Sequence, residues 1–199
     1  MRIIAGTAGG IPLKVPQGDT RPTTDRVREA LFSMLSDRIE NARVLDLFAG
    51  SGSLGIEALS RGASSALFVE QNRAATEVLR ANLQKARLPN ATLRQGDVLK
   101  TLADLAKNAE TPFNLVFADP PYTHRPTDTD FARTLLDSPH LPHLLTPDGD
   151  FILECLASKH PFEIPSPWTL HRQRDYGTTR IVWLRLQSTA HLPVEPAPL

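Results

Sequence analysis

The stretch Phe117-Ala118-Asp119-Pro120-Pro121-Tyr122 sets a carboxylate, two prolines and an aromatic ring directly after an apolar run. Neither proline has an N–H to donate, so a strand ladder cannot continue through them and the backbone stays extended. An acid beside a stiff backbone carbonyl is what an exocyclic base amine needs. Such an amine is a poor nucleophile because its lone pair is delocalised into the ring. Hydrogen bonds from its two N–H groups to Asp119 and to the Pro120 carbonyl push it toward a tetrahedral, more reactive geometry, and prolines keep that carbonyl preorganised. Tyr122 adds a ring face on which a base taken out of its stack can lie. In-line approach to a methyl donor then carries much of the rate through positioning, with no metal and no covalent intermediate. The catalytic set is Asp119, Pro120, Pro121 and Tyr122.

A second constellation is Asp46-Leu47-Phe48-Ala49-Gly50-Ser51-Gly52-Ser53-Leu54-Gly55, a G-x-G-x-x-G turn with Glu70 about 20 residues beyond its first glycine. Pattern alone allows a nicotinamide dinucleotide, and a bare strand–helix turn would read the same way. Glycines let the backbone approach a ligand, and the following helix offers free N–H groups to a pyrophosphate or to the carboxylate of S-adenosyl-L-methionine. The acids favour the second ligand. Asp46 is poorly placed beside a pyrophosphate but suits a cationic amino group. Glu70 can accept from both ribose hydroxyls, because an ionised carboxylate has two acceptor oxygens. Asp97 is placed for the adenine edge or its amine. The cofactor set is Asp46, Phe48, Ala49, Gly50, Gly52, Glu70, Asp97 and Val98.

The elements that must hold these residues alternate. Apolar runs at 43–48, 65–70, 91–95 and 113–118 read as strands, separated by a helix after the glycine turn, one over 72–88 and one over roughly 98–108. A weaker helix around 128–137 leads to another strand at 150–156. Two β-like runs, Trp168–Tyr176 and Thr178–Leu186, meet at Gly177 and predict a closing antiparallel hairpin. The result is an α/β, Rossmann-like domain, a mostly parallel sheet with helices on both faces. Ligands of such sheets sit beyond the carboxyl ends of the strands at the topological switch point, where Asp46–Gly52, Glu70, Asp97 and Asp119 all fall. Ahead lies a small N-terminal extension over 1–38: a hairpin with Gly9-Gly10 near its turn, then a helix opened by Pro22 and a Thr/Thr/Asp cluster, with Val27, Ala30, Leu31 and Met34 on its core face. One domain over 1–187 is followed by a Pro-rich stretch, 188–199, predicted to be a disordered tail.

The chain has 199 residues, 41% of them hydrophobic, enough for one full core. No apolar run reaches membrane length and the N-terminus lacks a signal-peptide core, which predicts a cytoplasmic protein. The single cysteine, Cys155, lies in an apolar run and reads as a buried small hydrophobe. His140 and His143 do not make a metal pair, since Pro139 and Pro142 interrupt any helix there and no third ligand is near. Net charge is zero, but residues 1–28 carry five Lys/Arg against two Asp/Glu, residues 159–185 again five against two, and the middle is acidic. Arg21, Arg26 and Arg28 in the first basic end, and Arg172 and Arg174 in the second, are the predicted RNA-phosphate contacts, because an acidic cofactor pocket alone would repel a polyanion.

The motifs Asp46–Gly52, Val116–Tyr122 and Arg21–Phe32, in this order and in so short a chain, closely resemble the RsmD family of bacterial methyltransferases. The likeness runs from Arg2 to about residue 186. The resemblance implies a seven-stranded class I methyltransferase sheet with one antiparallel strand, and transfer of a methyl group from S-adenosyl-L-methionine to N2 of a guanine in small-subunit (16S) ribosomal RNA. It further implies small-subunit particles as partners and cytosolic action; the protein is expected to be a monomer. It assigns Asp46, Gly50 and Gly52 to the methionine end, Glu70 to the ribose and Asp119–Tyr122 to catalysis. Rivals are an amino-methylating enzyme acting on DNA adenine or a protein amide, a nicotinamide oxidoreductase, which has no use for Asp119-Pro-Pro-Tyr, and a non-enzymatic RNA-binding factor, which has no use for the cofactor acids.

Overall fold

The computed structural model describes residues 1–16, 25–122, 127, 129–158 and 162–187. The Pro-rich stretch after 187 and Arg21 lie outside the described residues. Seven strands form one sheet in the order β3-β2-β1-β4-β5-β7-β6. They are β1 Arg43–Leu47, β2 Ser65–Glu70, β3 Ala91–Gln95, β4 Phe113–Ala118, β5 Leu145–Leu156, β6 Trp168–Tyr176 and β7 Thr179–Leu186. β1 to β5 pair in parallel, and β7 runs antiparallel to both β5 and β6. One antiparallel strand in seven is the expected arrangement. Strand order reverses between β1 and β4, so the switch point lies between the two motifs that carry the chemistry.

The strands alternate their side chains between two buried faces. On one, Val44, Phe68, Phe117, Ile152 and Trp183 meet α1 (Asp25–Met34), α2 (Ser36–Ile39), α3 (Ser53–Ser60) and α4 (Arg73–Ala86). On the other, Leu47, Val116, Leu153 and Val182 meet α5 (Val98–Lys107) and α6 (Phe131–Leu136). Helix starts follow their caps: Asn72, Asp97 and Asp130 each accept from a backbone N–H three residues on. α2 and a 3-10 turn at Leu141–Leu144 are each four residues, too short to leave a periodic pattern. β5 opens at Leu145, earlier than the apolar run suggests, with a register shift between Phe113 and Leu115 that accommodates Pro147 and Gly149.

The N-terminal extension is a hairpin reduced to a single bridge, Arg2 to Pro12. Pro12 cannot donate to a ladder, but Ile3 N donates to the Ile11 carbonyl and Gly10 N to the Ile3 carbonyl, and side chains of α3 fasten the segment to the body. The buried carboxylate of Glu57, on α3, accepts from Ile4 N at 2.6 Å and from Ala5 N at 3.0 Å. Ser60 Oγ accepts from Ala8 N at 3.0 Å.

α1 corrects one expectation. Val27 and Leu31 are buried as the pattern required, but so is Arg28, with 0% of its surface exposed. Its guanidinium donates to the carbonyl of Arg2 and to Asp25 Oδ1, and burial lowers its pKa. Helical periodicity places residue 28 beside residues 31 and 32 on the core face. Arg28 therefore ties the extension to α1 and cannot reach an RNA phosphate.

Candidate active site

The loop after β1 is bent by three left-handed residues, Phe48 (φ 57°), Gly50 (φ 53°) and Gly52 (φ 79°). A Cβ on Gly52 would lie 2.1 Å from Leu79 Cδ1, so both conformation and packing require glycine there. Around Gly50 the space is open, with the nearest atom 3.9 Å from such a Cβ. The third glycine of the motif serves the fold. A Cβ on Gly55 would sit 2.4 Å from the Phe68 ring, so this residue lets α3 close onto the sheet. Phe48, a non-glycine residue in a costly conformation, points to a loop whose shape is over-determined by its surroundings.

Those surroundings are specific. Ala49 N donates to the Val69 carbonyl at 3.0 Å, stitching the loop to the end of β2. Glu70 bridges two backbones, accepting from Gly50 N at 2.8 Å and from Asn72 N at 2.7 Å. Each oxygen retains a lone pair for a hydroxyl. Asp46 is buried beneath the loop and accepts from Gly55 N at 2.9 Å. Burial raises its pKa to about 7, against the Gly55 hydrogen bond and with a smaller contribution from the charge of Glu70. A buried carboxyl that is costly to ionise is a receptor for a cation. Asp97 is half-buried at the start of α5, where Oδ1 accepts from Lys100 N at 2.8 Å. Val98 packs into the core on the α5 side. An open Gly50, two carboxylates at successive strand ends and a desolvated acid fit the hydroxyls and cationic amino group of S-adenosyl-L-methionine. Asp46, Glu70, Gly50 and Gly52 would hold it.

The Asp119–Tyr122 turn stands beside this loop. Leu47 pairs with Ala118, so Phe48 and Asp119 leave adjacent strands side by side. Asp119 is half-buried, Pro120 buried and Pro121 exposed. Tyr122 donates its hydroxyl to Glu154 Oε1 at 3.1 Å, and Thr179 Oγ1 lies 3.3 Å from the same oxygen. Burial raises the Tyr122 pKa, so the phenol stays protonated and acts as the donor. A cavity of about 190 Å³ opens here, lined by Pro120, Pro121, Tyr122, Phe131, Glu154 and Phe162 among others. Phe48 touches Phe131 edge-on at 5.2 Å, joining the glycine loop to the cavity wall. Cys155 also lines the cavity, but burial pushes its thiol up to about 12, which keeps it protonated and inert.

Of the other expected RNA contacts, Arg26 is exposed on α1, and Arg172 and Arg174 are exposed on the edge strand β6. Register places Arg172 opposite Trp183 and Arg174 opposite Ile181, on the sheet face that α1 covers. Among the described residues no cluster of three or more His, Cys, Asp or Glu could hold a metal. Glu154 and Asn82 were not singled out as site residues by sequence reasoning. A charged residue inside the apolar run Phe151–Leu156 is the signal by which Glu154 could have been found.

The model of the family described as conserved hypothetical protein 95 matches residues 1–185. Ribosomal RNA small subunit methyltransferase D of Escherichia coli K12 is 39% identical over 184 residues, covering 89% of this chain and 85% of its own. This protein belongs to the RsmD family. The Haemophilus influenzae protein of the same name is 36% identical over 190 residues, covering 94% and 92%. Among solved structures, yhhF from Escherichia coli superposes with a TM-score of 0.78 at 36% identity, covering 94% of this chain and 98% of that one. The RsmD resemblance read from the glycine turn and the Asp-Pro-Pro-Tyr turn thus extends over almost the whole chain, and the fold is that of the class I methyltransferases. No described helix is long and apolar enough to cross a membrane.

Proposed function

We propose that this protein transfers the methyl group of S-adenosyl-L-methionine to the exocyclic N2 of one guanine in small-subunit ribosomal RNA, acting in the cytoplasm as a monomer. The observation that carries the reading is the pairing of Leu47 with Ala118, which sets the cofactor loop and the Asp119-Pro-Pro-Tyr turn side by side at the switch point. When bound, S-adenosyl-L-methionine supplies an electrophilic sulfonium methyl. The chain's own residues do the rest. Asp46 faces the cationic amino group and Glu70 the ribose. Asp119 and the Pro120 carbonyl accept from the two N–H groups of the target amine, raising its nucleophilicity, and the Asp119 carboxylate is placed to take the proton the amine gives up. Tyr122, held by Glu154 and Thr179, presents its ring to the extruded base. Arg26, Arg172 and Arg174 hold the flanking phosphates.

The test uses small subunits from a strain lacking this gene, incubated with the protein and a methyl-labelled donor, followed by nucleoside analysis. Label in N2-methylguanosine of the small-subunit RNA is expected. Calorimetry should show binding of adenosylhomocysteine and none of NAD. Label in adenine, in protein or nowhere, or preferential NAD binding, would overturn the reading.

A further inference from the structure

Glu154 is a buried carboxylate that amine activation by Asp119 and Pro120 does not require. It is only 4% exposed, yet it lines the cavity beside Tyr122. Ala118 pairs with Leu153, so Asp119 leaves the end of β4 next to Glu154, the following residue of β5. Adjacent strands lie about 4.8 Å apart, a spacing suited to acceptors for two neighbouring N–H groups on one base edge. Tyr122 Oη donates to Glu154 Oε1, which fixes the carboxylate and the ring relative to each other. Thr179 braces the same hydroxyl from β7.

We propose that Glu154 selects guanine by accepting its N1–H, next to the N2 amine held by Asp119 and Pro120. This inference rests on the guanine-N2 reading above and adds to it the residue that sets base identity. An ionised carboxylate only accepts hydrogen bonds. Guanine presents a donor at N1. Adenine and 2,6-diaminopurine present a lone pair there, which the carboxylate repels, and the buried oxygen is left without its partner. Sites that read a donor by hydrogen bonding reject analogues lacking it far more strongly than apolar pockets reject a change of size. Tyr122 then has two duties, stacking the base and aiming the carboxylate that reads it.

The decisive probe is 2,6-diaminopurine, which keeps the reactive 2-amino group but has an acceptor at N1. The modified nucleotide is first located on subunits from the gene-deletion strain. Hairpins spanning it are then made with guanine or 2,6-diaminopurine at the target, and kcat/KM is measured for each. Wild type should prefer guanine by roughly 100-fold or more. Glu154→Gln, whose amide can donate to an N1 lone pair, should bring the two substrates within about tenfold while adenosylhomocysteine binding is retained. Wild type methylating both bases equally, which needs no variant at all, overturns the proposal. So does a Glu154→Gln protein that folds and keeps the full preference. Failure of wild type on the guanine hairpin and on whole subunits would instead remove the guanine-N2 reading, so the two failures are separable.

Discussion

Asn82 and Ser51 are bonded across the fold: the buried side-chain amide of Asn82, on α4, donates to the Ser51 carbonyl inside the glycine loop at 2.9 Å. The same nitrogen donates to the Lys14 carbonyl at 2.9 Å, and Asn82 Oδ1 accepts from Lys14 N at 2.8 Å. One side chain thus fastens the N-terminal extension and the cofactor loop to each other. Asn82→Ala should lower stability by about 1–3 kcal/mol for each buried group left unpartnered. It should also weaken adenosylhomocysteine binding, because the loop loses its anchor. Thermal unfolding and calorimetry measure both; unchanged affinity would show that the loop holds its shape without Asn82.

Glu70 makes the complementary contact from β2, through Gly50 N and Asn72 N. Glu70→Gln keeps an acceptor for one backbone N–H and places an NH₂ against the other. Adenosylhomocysteine affinity should fall by roughly 10- to 100-fold, the loss of one or two hydrogen bonds to a charged group. A titration indistinguishable from wild type would remove Glu70 from the cofactor set.

Asp46 predicts a pH signature. Its carboxyl rises from 3.8 in the reference state to about 7 in the fold. Between those values the unfolded chain has lost the proton and the folded chain keeps it. The folded state then binds more protons, and the contribution of Asp46 to stability falls as pH rises from about 4 to about 7. A cationic amino group favours the ionised form, so adenosylhomocysteine binding near pH 6 should release a proton. Calorimetry in two buffers of different ionisation enthalpy would register that release, and Asp46→Asn should abolish it. A wild-type binding heat independent of buffer would place the amino group elsewhere.

Asp119→Ala should reduce turnover by about 100-fold or more, the scale for losing one preorganised polar group. Adenosylhomocysteine affinity should change little if Asp119 acts on the target amine rather than on the cofactor. Single-turnover methylation with saturating cofactor separates these effects, and a normal rate would end the catalytic assignment of the turn.

Arg26 and Arg28, two residues apart on α1, should behave oppositely. Arg28→Ala removes a buried guanidinium bonded to Arg2 and Asp25 and should cost at least about 1.5–3 kcal/mol of stability. Arg26→Ala should leave the melting temperature unchanged and flatten the salt dependence of RNA binding by about 0.7 slope units per lost single-strand phosphate contact. Equal melting losses in both variants would make Arg26 structural as well.

The contrast between Arg26 and Arg28 shows where reading the chain stops. Strand ends were legible because apolar runs give way to glycine after β1 and β3, to two prolines after β4 and to polar residues after β2, and those ends bring Asp46, Glu70 and Asp119 to one edge. The alternation of apolar runs and helical periods likewise located α4, α5 and the β6–β7 hairpin to within a few residues. What stayed hidden depends on contacts distant in sequence. Glu57 accepts from amides more than fifty residues away, and Glu154 acquires its meaning only from Tyr122 and Thr179. Arg28 looked like surface because arginine usually is, while its helical phase beside Leu31 and Phe32 already placed it inside.

β7 lies between β5 and β6 although it follows both in the chain, and Val182 and Leu184 are wholly buried there. Translation therefore delivers two strands before the one that must separate them. Until residues 179–186 leave the ribosome, β5 and β6 each carry an unsatisfied backbone edge, a template for pairing with a neighbouring nascent chain. Thr179, the first residue of β7, is also a partner of Tyr122. A chain released before that residue would lack both the strand that joins β5 to β6 and the Thr179 partner of Tyr122. Truncation before Thr179 would therefore leave those two edges open to edge-to-edge pairing, rather than yield a smaller sheet closed on itself.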